Sequence, residues 1–418
     1  MAEPRDARVV VTGIGAVSGY GVGVAALWEG LAGGRTAIRE VTRFDVERHR
    51  TRFASEVPGT VEPPGLFRGA SLADRFALAA TAEALAGAGL AEILGERRER
   101  GAPSDRCDPI IGVYFGCSTG GTWETERFYD GWTGERRHRT PLRLLLSQQT
   151  SAPGDTVARA VGATGPARTI CSACASATLA LGDALADLAS GEVDVALAGG
   201  ADALCQLTFA GFNSLRAVDP AACRPFRADR EGMTIGEGAA LLVLEREEDA
   251  RARGARPLAW LLGAGASCDA HHMTAPDPSG QGVTRAIRAA LADASVEPGR
   301  IDFVNAHGTG TPLNDAAEWA ALAEVFGERA GRLPVTSTKG AVGHLLGSAG
   351  AIEAVATVLC LRERAVHPTP GGGEIDPQAP VDLVRERPRP IPAGAVALST
   401  NFAFGGSNAA VVLAGEAP

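Results

Sequence analysis

The chain opens on an apolar run, Val9-Val-Val-Thr12, closed by the turn-forming Gly13-Ile-Gly15. Short apolar runs bounded by glycine, proline or polar residues predict buried strands. The same pattern predicts strands at 110–115, 193–198, 239–244, 258–266, 301–306, 334–338, 395–400 and 409–414. Between them the pattern predicts helices at 24–31, 71–95, 175–190, 283–293, 315–326 and 349–363, with 95–108 a polar loop. Strands alternating with helices predict a parallel-rich α/β protein. Helices 175–190 and 349–363 are apolar over most of their surface, so both are expected in the middle of the molecule. The polar connector Glu245–Arg256 divides the chain into halves, 1–255 and 256–418, with the same kinds of parts. No repeat of the sequence itself accompanies this likeness.

Composition narrows the function. The 418 residues are 45% hydrophobic and 21% charged, with aromatics only 5%, so a large core must be built mainly from Ala, Val and Leu. A net charge of −9 argues against bulk nucleic-acid binding. The clusters Arg136–Arg137–His138–Arg139 and Arg224–Pro225–Phe226–Arg227 read as solvated charge or as local basic patches. The amino end has no basic region leading into an apolar stretch, and no apolar run reaches the length of a membrane span. A cytoplasmic protein, with its eight cysteines as reduced core thiols, is the expectation. Lys339 is the only lysine; every other basic residue of the Lys+Arg total is arginine, which makes its position informative.

Four segments carry chemistry. Cys174, in Thr169-Ile-Cys-Ser-Ala-Cys174, sits just before an apolar helix, where free N–H groups and the helix dipole favour a thiolate and an oxyanion. A buried structural thiol, or a metal or redox pair with Cys171, are the alternatives. His307, in Asn305-Ala-His307-Gly-Thr-Gly-Thr311, follows a strand and so faces a crevice. Lys339 and His344 precede the second apolar helix, which contains Glu353; a buried lysine needs a carboxylate, so Lys339 and Glu353 are expected to pair. Gly405-Gly406, in Asn401-Phe-Ala-Phe404-Gly-Gly-Ser-Asn408, allows a turn whose N–H groups point into a cavity, or simply a hairpin.

These four segments, in this order and spacing, resemble those of the elongating β-ketoacyl-acyl carrier protein synthases. The likeness extends from Val9 to Leu413 and includes Ala198-Gly-Gly-Ala201, Arg224-Pro-Phe, Gly236-Glu-Gly238 and Asp269-Ala-His-His-Met-Thr-Ala-Pro276. It implies a thiolase-like fold, two similar α/β halves in a five-layered αβαβα arrangement. It implies a decarboxylating Claisen condensation in fatty-acid or type II polyketide elongation: Cys174 carries an acyl group, and malonyl-acyl carrier protein supplies the extending carbons. His307 and His344 would assist decarboxylation, and Lys339 with Glu353 would organise the site. N–H groups of Cys174 and Phe404 would form the oxyanion hole, with Phe404 also a gate. Thr309 and Thr311 would line the phosphopantetheine channel, and Thr119, Phe212 and His272 are assigned as further substrate-binding residues. Cys171 matches no functional position and is expected to be a packing thiol. No metal or free cofactor is expected; the partners are an acyl carrier protein and a second subunit, in a homodimer or a heterodimer with a chain-length-factor-like protein. The segment Cys117–Trp123 and the stretch to Arg139 differ from the fatty-acid enzymes, which leans the reading towards a polyketide or other specialised pathway. A non-catalytic chain-length factor would lack the cysteine, and a thiolase would place a second cysteine in a late glycine-rich motif.

Overall fold

A computed structural model describes residues 8–64, 66–91, 109–134 and 139–417. The expected loop at 95–108 and most of the Arg136–Arg139 cluster lie outside them. The first half contributes β1 (Val9–Ser18), β2 (Ile111–Gly116), β3 (Ala167–Ile170), β4 (Val195–Asp202) and β5 (Gly238–Arg246). The second contributes β6 (Ala259–Cys268), β7 (Ile301–Asn305), β8 (Pro334–Thr336), β9 (Asp382–Leu383), β10 (Val396–Phe402) and β11 (Ser407–Ala414). They form one hydrogen-bonded path in the order β9-β8-β7-β10-β11-β6-β1-β5-β4-β2-β3. The halves meet where β1 and β6 pair antiparallel through Val9–Val11 and Ala259–Leu261. Parallel pairs lie at both ends of the path, β2 with β3 and β4, and β7 with β8 and β10. The middle is antiparallel, so the sheet is mixed where the strand–helix alternation suggested mostly parallel.

The helices that matter here are α1 (Val24–Ala32), α2 (Leu72–Ala88), α3 (Thr122–Thr133), α4 (Ala152–Val161), α5 (Ser176–Ser190), α6 (Gln206–Ser214), α7 (Gln281–Asp293), α8 (Pro312–Phe326) and α9 (Ala349–Glu363). The alternation of β5 sets the layers: Leu242 and Leu244 join a core cluster with Leu181 of α5 and Ile352 of α9, while Leu241 and Val243 face outward to Phe76 of α2. In the same way Val411 and Leu413 of β11 face α5 and α9, and Val412 faces Ile287 of α7 and Leu322 of α8. The layers are therefore helices, sheet, central helices, sheet, helices. α9 is buried from Ala349 through Leu361, which leaves it no polar face to offer water.

α2 ends at Ala88, well short of residue 95, because Gly89 turns the chain in the left-handed region after a helix opened by a Ser71–Asp74 capping box. It lies so close to β1 that a Cβ on Gly13 would sit 2.0 Å from the Ala84 carbonyl oxygen. The sequence pattern did not predict α3, α4 or α6; α3 and α6 have mixed faces with few buried residues.

Candidate active site

β3 delivers the chain to the middle layer, and Ala173 then takes a positive φ of 43° to turn it into α5. That left-handed conformation costs a non-glycine residue about 1–2 kcal/mol, and it sets Cys174 at the mouth of the helix. The Phe404 backbone N–H, from across the middle of the molecule, is brought towards Cys174 Sγ. Burial pushes the thiol up to about 11, although Lys339 and the Phe404 N–H pull it back. The helix start alone therefore does not yield a resting thiolate, as had been expected of it. Cys171 is also a correction: it is exposed and is not a packing thiol.

His307 follows β7. Its backbone N–H donates to Glu318 Oε1 of α8 at 2.8 Å and to Thr400 Oγ1 at 3.1 Å, and the Gly308 N–H donates to Glu318 Oε2. Burial raises the Glu318 carboxyl to about 7, against the hydrogen bonds it accepts. The sequence reading missed Glu318; its only signal was a carboxylate on the helix following the histidine loop. His344 lies behind the single turn Lys339–Val342, with its backbone locked by His344 N–H to Thr234 O and Gly236 N–H to His344 O. Its Nδ1 accepts the Leu346 N–H at 3.1 Å, so Nε2 carries the hydrogen. That Nε2 is buried and has no partner among the described residues.

The expected ion pair is present: Lys339 Nζ donates to Glu353 Oε1 at 2.5 Å, with both side chains about 1% exposed. Glu353 Oε2 accepts from Asn401 Nδ2, which also faces His307 Nδ1 at 3.4 Å, while Thr178 Oγ1 donates to Asn401 Oδ1. With Asn401 Nδ2 donating, His307 too presents Nε2–H. Burial first and then Lys339 hold both imidazoles well below their usual range, His344 adding to the effect on His307, so both are neutral donors.

Cys174 Sγ and one nitrogen of each histidine lie within 4.8 Å of one another, and the two rings meet edge to face at 5.4 Å. A zinc ligand set has this composition, but a metal-bound imidazole donates through its other nitrogen. His344 Nδ1 accepts, so Nε2 has a hydrogen where a metal would need a lone pair, and the set does not fit an ion.

These groups floor a cavity of about 390 Å³ that Phe212, Thr309, Thr311 and Phe404 also line. The Phe212 and Phe404 rings stand 5.8 Å apart, and the Thr309 and Thr311 hydroxyls hydrogen-bond at 2.9 Å. The Phe404 turn depends on its glycines, with φ of 90° and 80° at Gly405 and Gly406. Two assigned residues are not brought to the cavity. The Thr119 hydroxyl donates to Asp202 and is buried there. His272 is exposed beside the mouth, its Nδ1 accepting from Thr274 and Ala275, which do line the cavity.

Comparison with known proteins agrees over the whole chain. Residues 6–250 match the β-ketoacyl synthase N-terminal domain and residues 258–372 the β-ketoacyl synthase C-terminal domain. The 3-oxoacyl-[acyl-carrier-protein] synthase 2 of Synechocystis sp. is 38% identical over 420 residues, covering 98% of each chain. The ishigamide ketosynthase/chain length factor superposes with a TM-score of 0.89 at 35% identity, covering 98% of this chain and all of that one. A type II polyketide ketosynthase, solved bound to the hexaketide in complex with its acyl-carrier protein, gives 0.87 at 30% identity over 99% of this chain and all of that one. The chain thus belongs to the β-ketoacyl synthase family, thiolase-like condensing enzymes that transfer acyl groups in fatty-acid and polyketide chain elongation.

Proposed function

We propose that Cys174 carries the growing acyl group and that His307 and His344 stabilise the enolate formed when a malonyl thioester loses CO2. The observation that carries this reading is the convergence of one thiol and one ring nitrogen from each of two neutral imidazoles within 4.8 Å on the floor of one cavity. In the first half-reaction Sγ attacks an acyl thioester; the N–H groups of Cys174 and Phe404 receive the oxyanion, and the thiol proton ends on the departing phosphopantetheine sulfur. In the second, C–C cleavage of the malonyl group releases CO2 and places negative charge on the thioester oxygen, between the imidazole donors. The enolate carbon attacks the Cys174 thioester, giving a 3-oxoacyl thioester and a cysteine thiolate that takes one proton from solvent.

Lys339, Glu353 and Asn401 act as positioning residues in this scheme, and Glu318 fixes the His307 loop. Thr309 and Thr311 bind the amide-rich arm of the carrier, and Phe404, beside Phe212, gates the entrance. The division of labour between 1–255, with the nucleophile, and 256–418, with the histidines, belongs to the same proposal.

An acyl carrier protein supplies both substrates on its phosphopantetheine, with no further cofactor. The second subunit is another copy or a chain-length-factor-like protein; the structural neighbours, a ketosynthase/chain length factor and a ketosynthase in complex with its acyl-carrier protein, support the carrier and the heteromeric partnership. Among the described residues β3 is the last strand of the sheet path and has no further strand on its outer edge, where such a subunit would pair. Among the described residues no helix is long and apolar enough to cross a membrane, and seven cysteines are free, in keeping with a reducing cytoplasm. Incubation with acyl- and malonyl-carrier protein, read by mass spectrometry of the carrier, tests the reading: a product longer by two carbons with a 3-oxo group is expected. Acyl loading with no such product would leave only a transferase.

A further inference from the structure

We propose that the cleft between Arg227 and the Gly371–Gly373 loop is a second binding site, built for a phosphate-type oxyanion. The cleft encloses about 260 Å³ and shares no lining residue with the cavity around Cys174. Its inner wall is Arg227, whose side chain is fully buried at 1% exposure. One guanidinium nitrogen, Nη2, donates to the Gly371 carbonyl at 2.8 Å. Among the described residues the other two, Nε and Nη1, have no partner, and Arg227 forms no ion pair. Buried polar groups are almost always hydrogen-bonded, and a buried guanidinium with two idle donors is costly unless a ligand completes it. Nε–H and Nη1–H point in different directions, and the second Nη2 hydrogen completes a planar fork with one of them, which a carboxylate or phosphate oxygen pair matches.

Across the cleft stands Arg385, exposed and likewise without an ion pair among the described residues. Two like charges at one cleft repel, and burial together with Arg385 pulls the Arg227 guanidinium below its usual range. The acidic neighbours do not cancel this. Asp229 is engaged by Arg224 Nη1 at 2.5 Å, and Glu374 acts on Arg227 less strongly than Arg385 does. Glu386 is the one carboxylate on the lining and sits at the exposed rim. Gly371, with φ of 104°, carries no side chain, so a ligand can approach the main chain closely there, whereas Asp229 Oδ1 lies against Gly373, 2.9 Å from where a Cβ would sit. Two guanidinium groups on the lining favour an oxyanion there, and phosphate presents more oxygens than a carboxylate to the donors left open.

Calorimetric titration of the purified protein with inorganic phosphate, and separately with phenyl phosphate, at constant ionic strength tests this. Saturable binding is expected. Tighter binding of phenyl phosphate identifies a phosphorylated molecule as the occupant, and tighter binding of inorganic phosphate identifies the free ion. Arg385→Ala, at an exposed position that spares the fold, should weaken binding by about tenfold or more, and Arg227→Met should do the same. Should Arg227→Met fail to fold, Arg385→Ala decides alone. No saturable binding of either probe to the parent, or binding to Arg385→Ala as tight as to the parent, overturns the proposal.

Discussion

Replacing His344 by alanine separates the two half-reactions more cleanly than any other change in the site. The ring is completely buried, its Nδ1 is held by the Leu346 N–H at 3.1 Å, and its Nε2–H faces the cavity without a partner. Alanine removes one of the two donors that the enolate would meet and leaves His307. Loss of one preorganised oxyanion donor costs about 100- to 1000-fold in rate, or about 2.7–4 kcal/mol. The same change strands the buried Leu346 N–H, which costs about 1–3 kcal/mol of stability without touching Cys174. Acylation of Cys174 depends on Sγ and the Cys174 and Phe404 N–H groups, so it should survive. The assay measures CO2 release from malonyl carrier protein and, in parallel, acyl loading by intact mass. Normal loading with CO2 release lowered about 100- to 1000-fold is expected, and His344→Gln, which keeps an N–H near Nε2, should recover part of it. CO2 release within a few-fold of the parent would refute the reasoning, as would equal loss of both steps.

Lys339→Met should destabilise the fold by about 3–5 kcal/mol because it strands the buried Glu353. The double change Lys339→Met/Glu353→Gln should recover most of that in urea unfolding but not the condensation rate. Acid should destabilise the protein through its buried histidines. Burial lowers His367 to about 4, and burial followed by Lys339 holds His307 and His344 well below 6.5. A group depressed in the folded state stabilises above its unfolded value and loses that as pH falls, so the loss runs from about pH 6.5 down towards 4, for His367 about 3 kcal/mol. His367→Gln should flatten the fall of the urea midpoint over that window; an unchanged slope would contradict the assignment. Gly406→Ala forces a side chain onto a φ of 80°, with its Cβ 3.0 Å from Asp269 Cβ. Misaiming the Phe404 N–H in this way should slow acyl loading about tenfold or more, and loading at the parent rate would remove that N–H from the mechanism.

The elements that define the site were legible because their patterns are local. α5 and α9 announce themselves as helices without a polar face, and the Lys339–Glu353 pair follows from one lysine placed before one of them. The rest depends on contacts between distant segments. Glu318 and Asn401 act by hydrogen bonds to His307 that no spacing reveals. The thiolate expected at the start of α5 did not account for burial, which outweighs the Lys339 and Phe404 contributions and lifts Cys174 to about 11. Thr119 was assigned to the substrate, yet Asp202 captures its hydroxyl. Cys171 lies three residues from Cys174, at the end of the edge strand β3, and is exposed, because the positive φ at Ala173 turns the chain between them.

The central claim is that Cys174 alone carries the acyl group. Intact mass and peptide mapping of the parent and of Cys174→Ala, each incubated with acyl carrier protein, test it most directly. One acyl group per chain on Cys174 in the parent, and none in a folded Cys174→Ala, is the predicted result. An acyl group on the exposed Cys171, or 3-oxoacyl product formed by Cys174→Ala, would contradict it.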